Sequence, residues 1–164
     1  MGVGQFCTNP GVLLALDSPE LDDFLKHLSD GIGRIQPRTM LHSGIFQNYN
    51  SILKIFCQTQ GVRIHTRSGI TSNPARIEAD TLVLETDYTT WCMREELRQE
   101  CFGPASIVVR IKNLEELLSF ARNMEGSLTA TIHGTHDDLE KYKSLLQALE
   151  THAGRLVYNG FPTG

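Results

Sequence analysis

The chain has 164 residues, 40% of them hydrophobic and 21% charged, with a formal net charge of −4. That is the length of about one domain, enough to bury a core without disulfides or metals. The mild acidity and the lack of any basic concentration exclude nucleic acid and an anionic membrane as expected partners. No apolar run has transmembrane length, and no charged-then-apolar leader opens the chain.

The elements alternate. "GVLLAL" (Gly11 to Leu16) is a short continuous apolar run, which predicts a strand buried on both faces. "SPELDDFLKHLSDGIG" predicts a helix. Ser18 caps it, Pro19 suits its first position, and Leu21, Phe24, Leu25 and Leu28 share one face. A second helix is expected from about Gly44 to Gln60, with Tyr49, Ile52, Leu53 and Phe56 as its stripe. "VRIH" predicts a short strand. Residues 66–80 hold Gly, Asn, Pro and Ser without a period and read as an irregular loop.

"TLVLETD" predicts a strand, and "YTTWCMREELRQECFGP" a mixed, partly helical stretch ending at Gly103–Pro104. "SIVVRI" reads as a buried strand. In "NLEELLSFARNM", Asn113 caps a helix whose inner face is Leu114, Leu117, Leu118 and Ala121. "SLTATIHG" is a strand. "DDLEKYKSLLQALETH" is one helix with Leu139, Tyr142, Leu145, Leu146 and Leu149 inward, and "GRLVYNG" is a final strand. Strands alternating with amphipathic helices predict an α/β fold with a mostly parallel sheet flanked by helices. In such sheets, sites form at the carboxyl ends of strands. No repeat or second domain is visible.

The cysteines are Cys7, Cys57, Cys92 and Cys101. None forms C-x-x-C and no histidine lies at zinc-finger spacing from a pair, so no metal site is expected. His133 and His136 in "HGTH" read as surface residues. Free thiols in a chain without a leader point to a reducing compartment, the cytoplasm.

Three stretches carry possible chemistry. "GVGQFCTNPG" presents Cys7 on a Gly-flanked turn, which can offer an exposed thiol and backbone N–H donors for an oxyanion. Alone, a cysteine beside a phenylalanine also reads as a buried structural residue. "QECFGP" sets the Glu100 carboxylate before Phe102 and a Gly-Pro turn. A carboxylate accepts from two hydroxyls and an aromatic flanks a flat ring, but the same letters make an ordinary strand-entry turn. "GRLVYNGFPTG" ends a strand at Asn159–Gly160.

Together, and in this order, the three stretches resemble the aldehyde dehydrogenase superfamily over essentially the whole chain. They are most similar to its α-ketoglutaric semialdehyde and NADP-dependent fatty aldehyde dehydrogenase branch. The resemblance implies that 1–164 form the catalytic, Cys-containing domain. Cys7 would be the nucleophile, attacking an aldehyde to give a thiohemiacetal. Hydride would leave to the nicotinamide of NADP or NAD, and water would hydrolyse the thioester to a carboxylic acid. The Cys7 N–H would be one oxyanion donor. Glu100 would bind the nicotinamide ribose and Phe102 would pack near the nicotinamide. Phe6, Asn159 and Phe161 would lie on the substrate side. The family also implies a homodimer or a higher homo-oligomer.

In the family, the Rossmann-type cofactor domain, the glutamate base and the second oxyanion donor lie upstream of the nucleophile. The expectation is therefore a catalytic-domain fragment, nearly inert alone. Losing a general base costs about 10²–10⁴-fold and losing an oxyanion donor about 10²–10³-fold. Two other readings stay open. A cysteine hydrolase needs a histidine within reach of Cys7. A non-catalytic interaction domain predicts no selective reactivity at Cys7.

Overall fold

The computed structural model describes residues 2–162; Met1, Thr163 and Gly164, the last two closing the "NGFPTG" stretch, lie outside the described residues. The alternation reads as one domain. In the structure the chain gathers into two compact units, one built from residues 1–6 and 11–112 and the other from 7–10 and 113–164.

The first unit contains β1 (Val12–Leu16), α1 (Pro19–Ile32), β2 (Arg38–Thr39), α2 (Ser43–Gln58), β3 (Arg63–Arg67), β4 (Glu78–Ala79), β5 (Leu82–Asp87), α3 (Tyr88–Met93) and β6 (Ala105–Ile111). Its main sheet has the order β1-β6-β5-β3. β1 and β5 both run parallel to β6, and β3 runs antiparallel to β5. The sheet is thus mixed and mostly parallel, on an α/β chain.

Period two sorts its side chains. Val83 and Val108 face Leu21, Leu25 and Ile32 of α1, with Leu13, Ala15 and Leu28 packed around them. On the alternate positions Leu82, Leu84, Ile107, Val109 and Ile111 are all buried. Ser18 caps α1 as expected, its Oγ accepting from the Leu21 N–H at 3.3 Å. Phe24 departs from the expected inner face and is 49% exposed. At 3.6 residues per turn it falls to the rim beside Leu21, Leu25, Leu28 and Ile32.

Three further expectations are corrected. The first strand is not buried on both faces. It forms the edge of its sheet, with Val12 40% and Leu16 39% exposed, and β6 and β5 are the strands enclosed between neighbours. Residues 66–80 are not merely loop. A short antiparallel ladder pairs β2 with β4, and Asn73 caps a single 3-10 turn at Pro74–Arg76. The long helix near the carboxyl end is broken into two.

That break lies in the second unit, which holds α4 (Leu114–Asn123), β7 (Ser127–Ile132), α5 (His136–Lys141), α6 (Lys143–His152) and β8 (Ala153–Tyr158). Thr135 and Asp138 form a reciprocal capping box that opens α5. Tyr142, at φ −106° and ψ 29°, leaves helical geometry and separates α5 from α6. Its ring packs beside the core of Ala121, Leu145 and Leu149. β7 and β8 pair in parallel as a two-stranded sheet. Asn113 caps α4, accepting from the Glu116 N–H at 3.0 Å.

Candidate active site

The turn that leads to Cys7 is left-handed throughout. Gly2, Val3 and Gly4 have φ of 54°, 53° and 66°. Glycine adopts this freely. A β-branched residue does so at a cost on the order of 1–3 kcal/mol, and such a conformation persists only when its surroundings hold it. Gln5 supplies part of that hold: its Nε2 donates to the Gly2 carbonyl at 2.9 Å and its Oε1 accepts from the Leu41 N–H at 2.8 Å. Phe6 lays its ring against Gly2 and is 56% exposed. Cys7 is a free, exposed thiol on the next turn.

Gly4 brings two of the motif stretches together. A Cβ there would stand 2.3 Å from the Gly103 carbonyl oxygen and 2.7 Å from the Pro104 nitrogen. Only glycine permits this backbone-on-backbone approach. Gly103 in turn rests on the Tyr49 ring, where a Cβ would meet Cδ2 at 2.3 Å. Tyr49 is fully buried and donates its hydroxyl to the Asp80 carbonyl at 2.7 Å, so the ring cannot yield. Gly103→Ala is therefore expected to destabilise the chain by about 1–3 kcal/mol, the range for forcing carbon into a packed core. The midpoint of urea unfolding, compared with wild type, checks this.

Glu100 is exposed and Phe102 half-buried on the segment that enters β6. That position corrects the strand-end expectation. The Leu82 N–H donates to the Pro104 carbonyl and the Ile107 N–H to the Gly11 carbonyl, so residues 100–104 and Gly11 meet the parallel strands at their amino ends. Cys7 precedes the amino end of β1 in the chain. Cys7 groups with the second unit and Glu100 with the first.

Asn159 follows β8 at φ 48°. Its side chain accepts from the Gly134 N–H and donates to the Gly134 carbonyl, both at 2.9 Å, and its own N–H reaches the Ile132 carbonyl at 2.8 Å. The carboxamide thus ties the carboxyl ends of β7 and β8 together. Phe161 is 81% exposed. His133 and His136 are exposed.

The thiols divide by environment. Burial pushes Cys101 up to about 12, with Cys57 adding to it. Burial also raises Cys57. Both are thereby poor sources of thiolate at neutral pH. Three histidines are committed elsewhere. His42 caps α2 by accepting from the Gly44 and Ile45 N–H groups, His27 Nδ1 lies 2.7 Å from the Asp23 carbonyl, and His65 lies between Glu85 and the Leu25 carbonyl. These bonds weaken the cysteine-hydrolase reading.

Sequence reading passed over one polar cluster. On the α1 face of the sheet, Glu85 is only 3% exposed. Its carboxylate meets Arg110 Nε at 2.5 Å, Arg63 at 2.6 Å and His65 Nδ1 at 2.8 Å. Arg110 also reaches Asp17 and Asp22, each at 2.5 Å. An arginine inside "SIVVRI" and a glutamate inside "TLVLETD" were the available signals.

No family model matches the chain. The alpha-ketoglutaric semialdehyde dehydrogenase 2 of Azospirillum brasilense is 36% identical over 164 residues, which are 100% of this chain and 31% of that protein. The alpha-ketoglutaric semialdehyde dehydrogenase of Acinetobacter baylyi is 34% identical over 169 residues, with the same shares. Over its whole length this chain is similar to aldehyde dehydrogenases. It spans about a third of the length of the curated relatives it matches. The fold agrees with that of a solved betaine aldehyde dehydrogenase from Staphylococcus aureus in complex with NAD+. Their TM-score is 0.78 at 17% identity, over 98% of this chain and 33% of the other. Among the described residues, no helix is long and apolar enough to cross a membrane.

Proposed function

We propose that these residues form the thiol-bearing part of an NAD(P)-dependent aldehyde dehydrogenase that oxidises a semialdehyde or a fatty aldehyde to the acid. One observation carries the reading: the turn before Cys7 is seated by Gly4 on the Gly103–Pro104 backbone of the Glu100–Phe102 segment. Two of the motifs that define the resemblance are thereby built against each other.

Cys7 adds its sulfur to the aldehyde carbonyl, forming the thiohemiacetal, and its backbone N–H steadies the oxyanion. A bound nicotinamide supplies the hydride acceptor. Water then releases the acid from the Cys7 thioester. Glu100 and Phe102 suit that cofactor, since an exposed carboxylate accepts from two ribose hydroxyls and an aromatic ring flanks a flat heterocycle. Phe6 and Phe161 offer exposed aromatic surface for the substrate side. The Asn159 carboxamide is engaged with Gly134, so its part there is to hold the turn that carries Phe161. Four unpaired cysteines fit a reducing, cytoplasmic setting.

A chimera tests the reading. These 164 residues replace the aligned segment of the Azospirillum brasilense protein, and aldehyde-dependent NAD(P)H formation is followed by absorbance. Turnover is expected from the chimera and none above a no-protein control from the 164 residues alone. A folded, cofactor-binding chimera without turnover overturns the proposal, and steady turnover by the isolated chain overturns its reliance on residues outside it.

The same reading includes self-association. Leu41, Met93, Leu128 and Phe161 are 77%, 68%, 62% and 81% exposed, apolar surface that self-association would cover. Light scattering is expected to report dimers or larger species. A single species at 18.3 kDa across concentrations would count against it.

A further inference from the structure

We propose that Gln5 is a positioning residue, whose carboxamide, bonded at both ends, holds the left-handed turn in the register that presents the Cys7 thiol. The proposal rests on the reading of Cys7 as the nucleophile.

The turn has one internal closing bond, from the Gln5 N–H to the Gly2 carbonyl at 2.9 Å. The Gln5 side chain doubles it, donating to the same oxygen at the same distance. Its other end accepts from the Leu41 N–H at 2.8 Å, across 36 residues of sequence. That anchor is itself fixed. Met40 is 2% exposed and donates its N–H to the Ile77 carbonyl at 3.0 Å, and His42 begins α2 as its cap. The turn therefore hangs from main chain that is held on both sides of Leu41.

Such a clamp is needed because Val3 sits at φ 53° and ψ 40°. A β-branched residue relaxes out of that region unless its neighbours prevent it. Gly4, pressed on Gly103 and Pro104, blocks one escape. Gln5 blocks the other. The chemistry asks for one group that donates and accepts at once, which a carboxamide does and a carboxylate or thioether does not. Gln5 lies two residues before Cys7, so any slip of the turn is handed directly to the thiol.

Three proteins are compared: wild type, Gln5→Met, which removes both bonds, and Gln5→Glu, which keeps the Leu41 acceptor and loses the Gly2 donor. Hydrogen exchange reads the Leu41 amide. Iodoacetamide alkylation, followed by peptide mass spectrometry, reads Cys7 against the exposed Cys92 in the same molecule. Gln5→Met is expected to expose the Leu41 amide and to change the Cys7-to-Cys92 rate ratio on the order of threefold or more. Gln5→Glu should keep Leu41 protected and give an intermediate ratio. A Gln5→Met protein with the wild-type ratio, or with Leu41 still protected, overturns the proposal. Failure of the nucleophile reading is distinguishable, since it shows as undiminished turnover in a Cys7→Ala chimera and leaves the clamp to be judged on Leu41 and the ratio.

Discussion

Cys7→Ala in the chimera is expected to reduce aldehyde oxidation by roughly 10⁴-fold or more, the scale seen when the group that forms the covalent intermediate is removed. Binding of the nicotinamide cofactor, titrated by fluorescence, should stay within about twofold, because the variant removes an interaction made only during reaction. No other thiol is placed to substitute. Cys101 and Cys57 are suppressed by burial, and Cys92 belongs to α3, on another stretch of chain. Cys7→Ser should not restore the rate, since a serine hydroxyl without a neighbouring base is a weak nucleophile. Near-normal turnover by Cys7→Ala would remove Cys7 from the mechanism.

The largest stability effect is expected at Glu85. Removing one partner from a buried ion cluster costs about 3–5 kcal/mol, because the remaining charges stay desolvated. Glu85→Ala strips Arg110, Arg63 and His65 of a shared acceptor. Asp17 and Asp22 still pair Arg110 and the Arg63 side chain is 67% exposed, so the cost is expected at the low end of that range. Burial raises the Glu85 carboxyl, but the hydrogen bonds and charges of Arg63 and Arg110 outweigh it, and the group ends below its ordinary value of 4.5. A carboxyl depressed by folding contributes stability that is whole above its unfolded value and fades as pH falls through its folded one. The gap between wild type and Glu85→Gln in urea midpoint should therefore be widest near neutrality and close below about pH 4.5. A gap that is constant from pH 7 to pH 3 would show that the Glu85 charge contributes nothing.

Much of the scaffold was legible because local signals and packing agree. Ser18 and Asn113 announce their helices and cap them, and the apolar runs holding Val83 and Val108 are strands buried on both faces. "GVLLAL" misled because an apolar run records composition and not neighbours. β1 has a partner on one side only. Tyr142 gave no local sign of breaking the last helix, since its φ and ψ follow from tertiary packing. The candidate site was legible as motifs, whereas its construction was not. Gly4 and Gly103 look alike in the sequence, yet one is glycine to admit backbone and the other to admit an aromatic ring. The Gln5–Leu41 bond joins distant residues whose pairing has no periodicity to betray it.

The second unit is assembled from two pieces of chain, residues 7–10 and 113–164, with the whole of 11–112 between them. During synthesis the tetrapeptide bearing Cys7 emerges before residues 11–112, while its companions arrive after β6 has been made. Closing so wide a loop carries an entropic cost that grows only slowly with length, but it cannot happen before both ends exist. Domains tend to form in order of emergence. The thiol segment is thus made before the whole of the first sheet and finds its surroundings only after that sheet is complete. A nascent chain stalled after β6 would carry Cys7 on an unfinished unit.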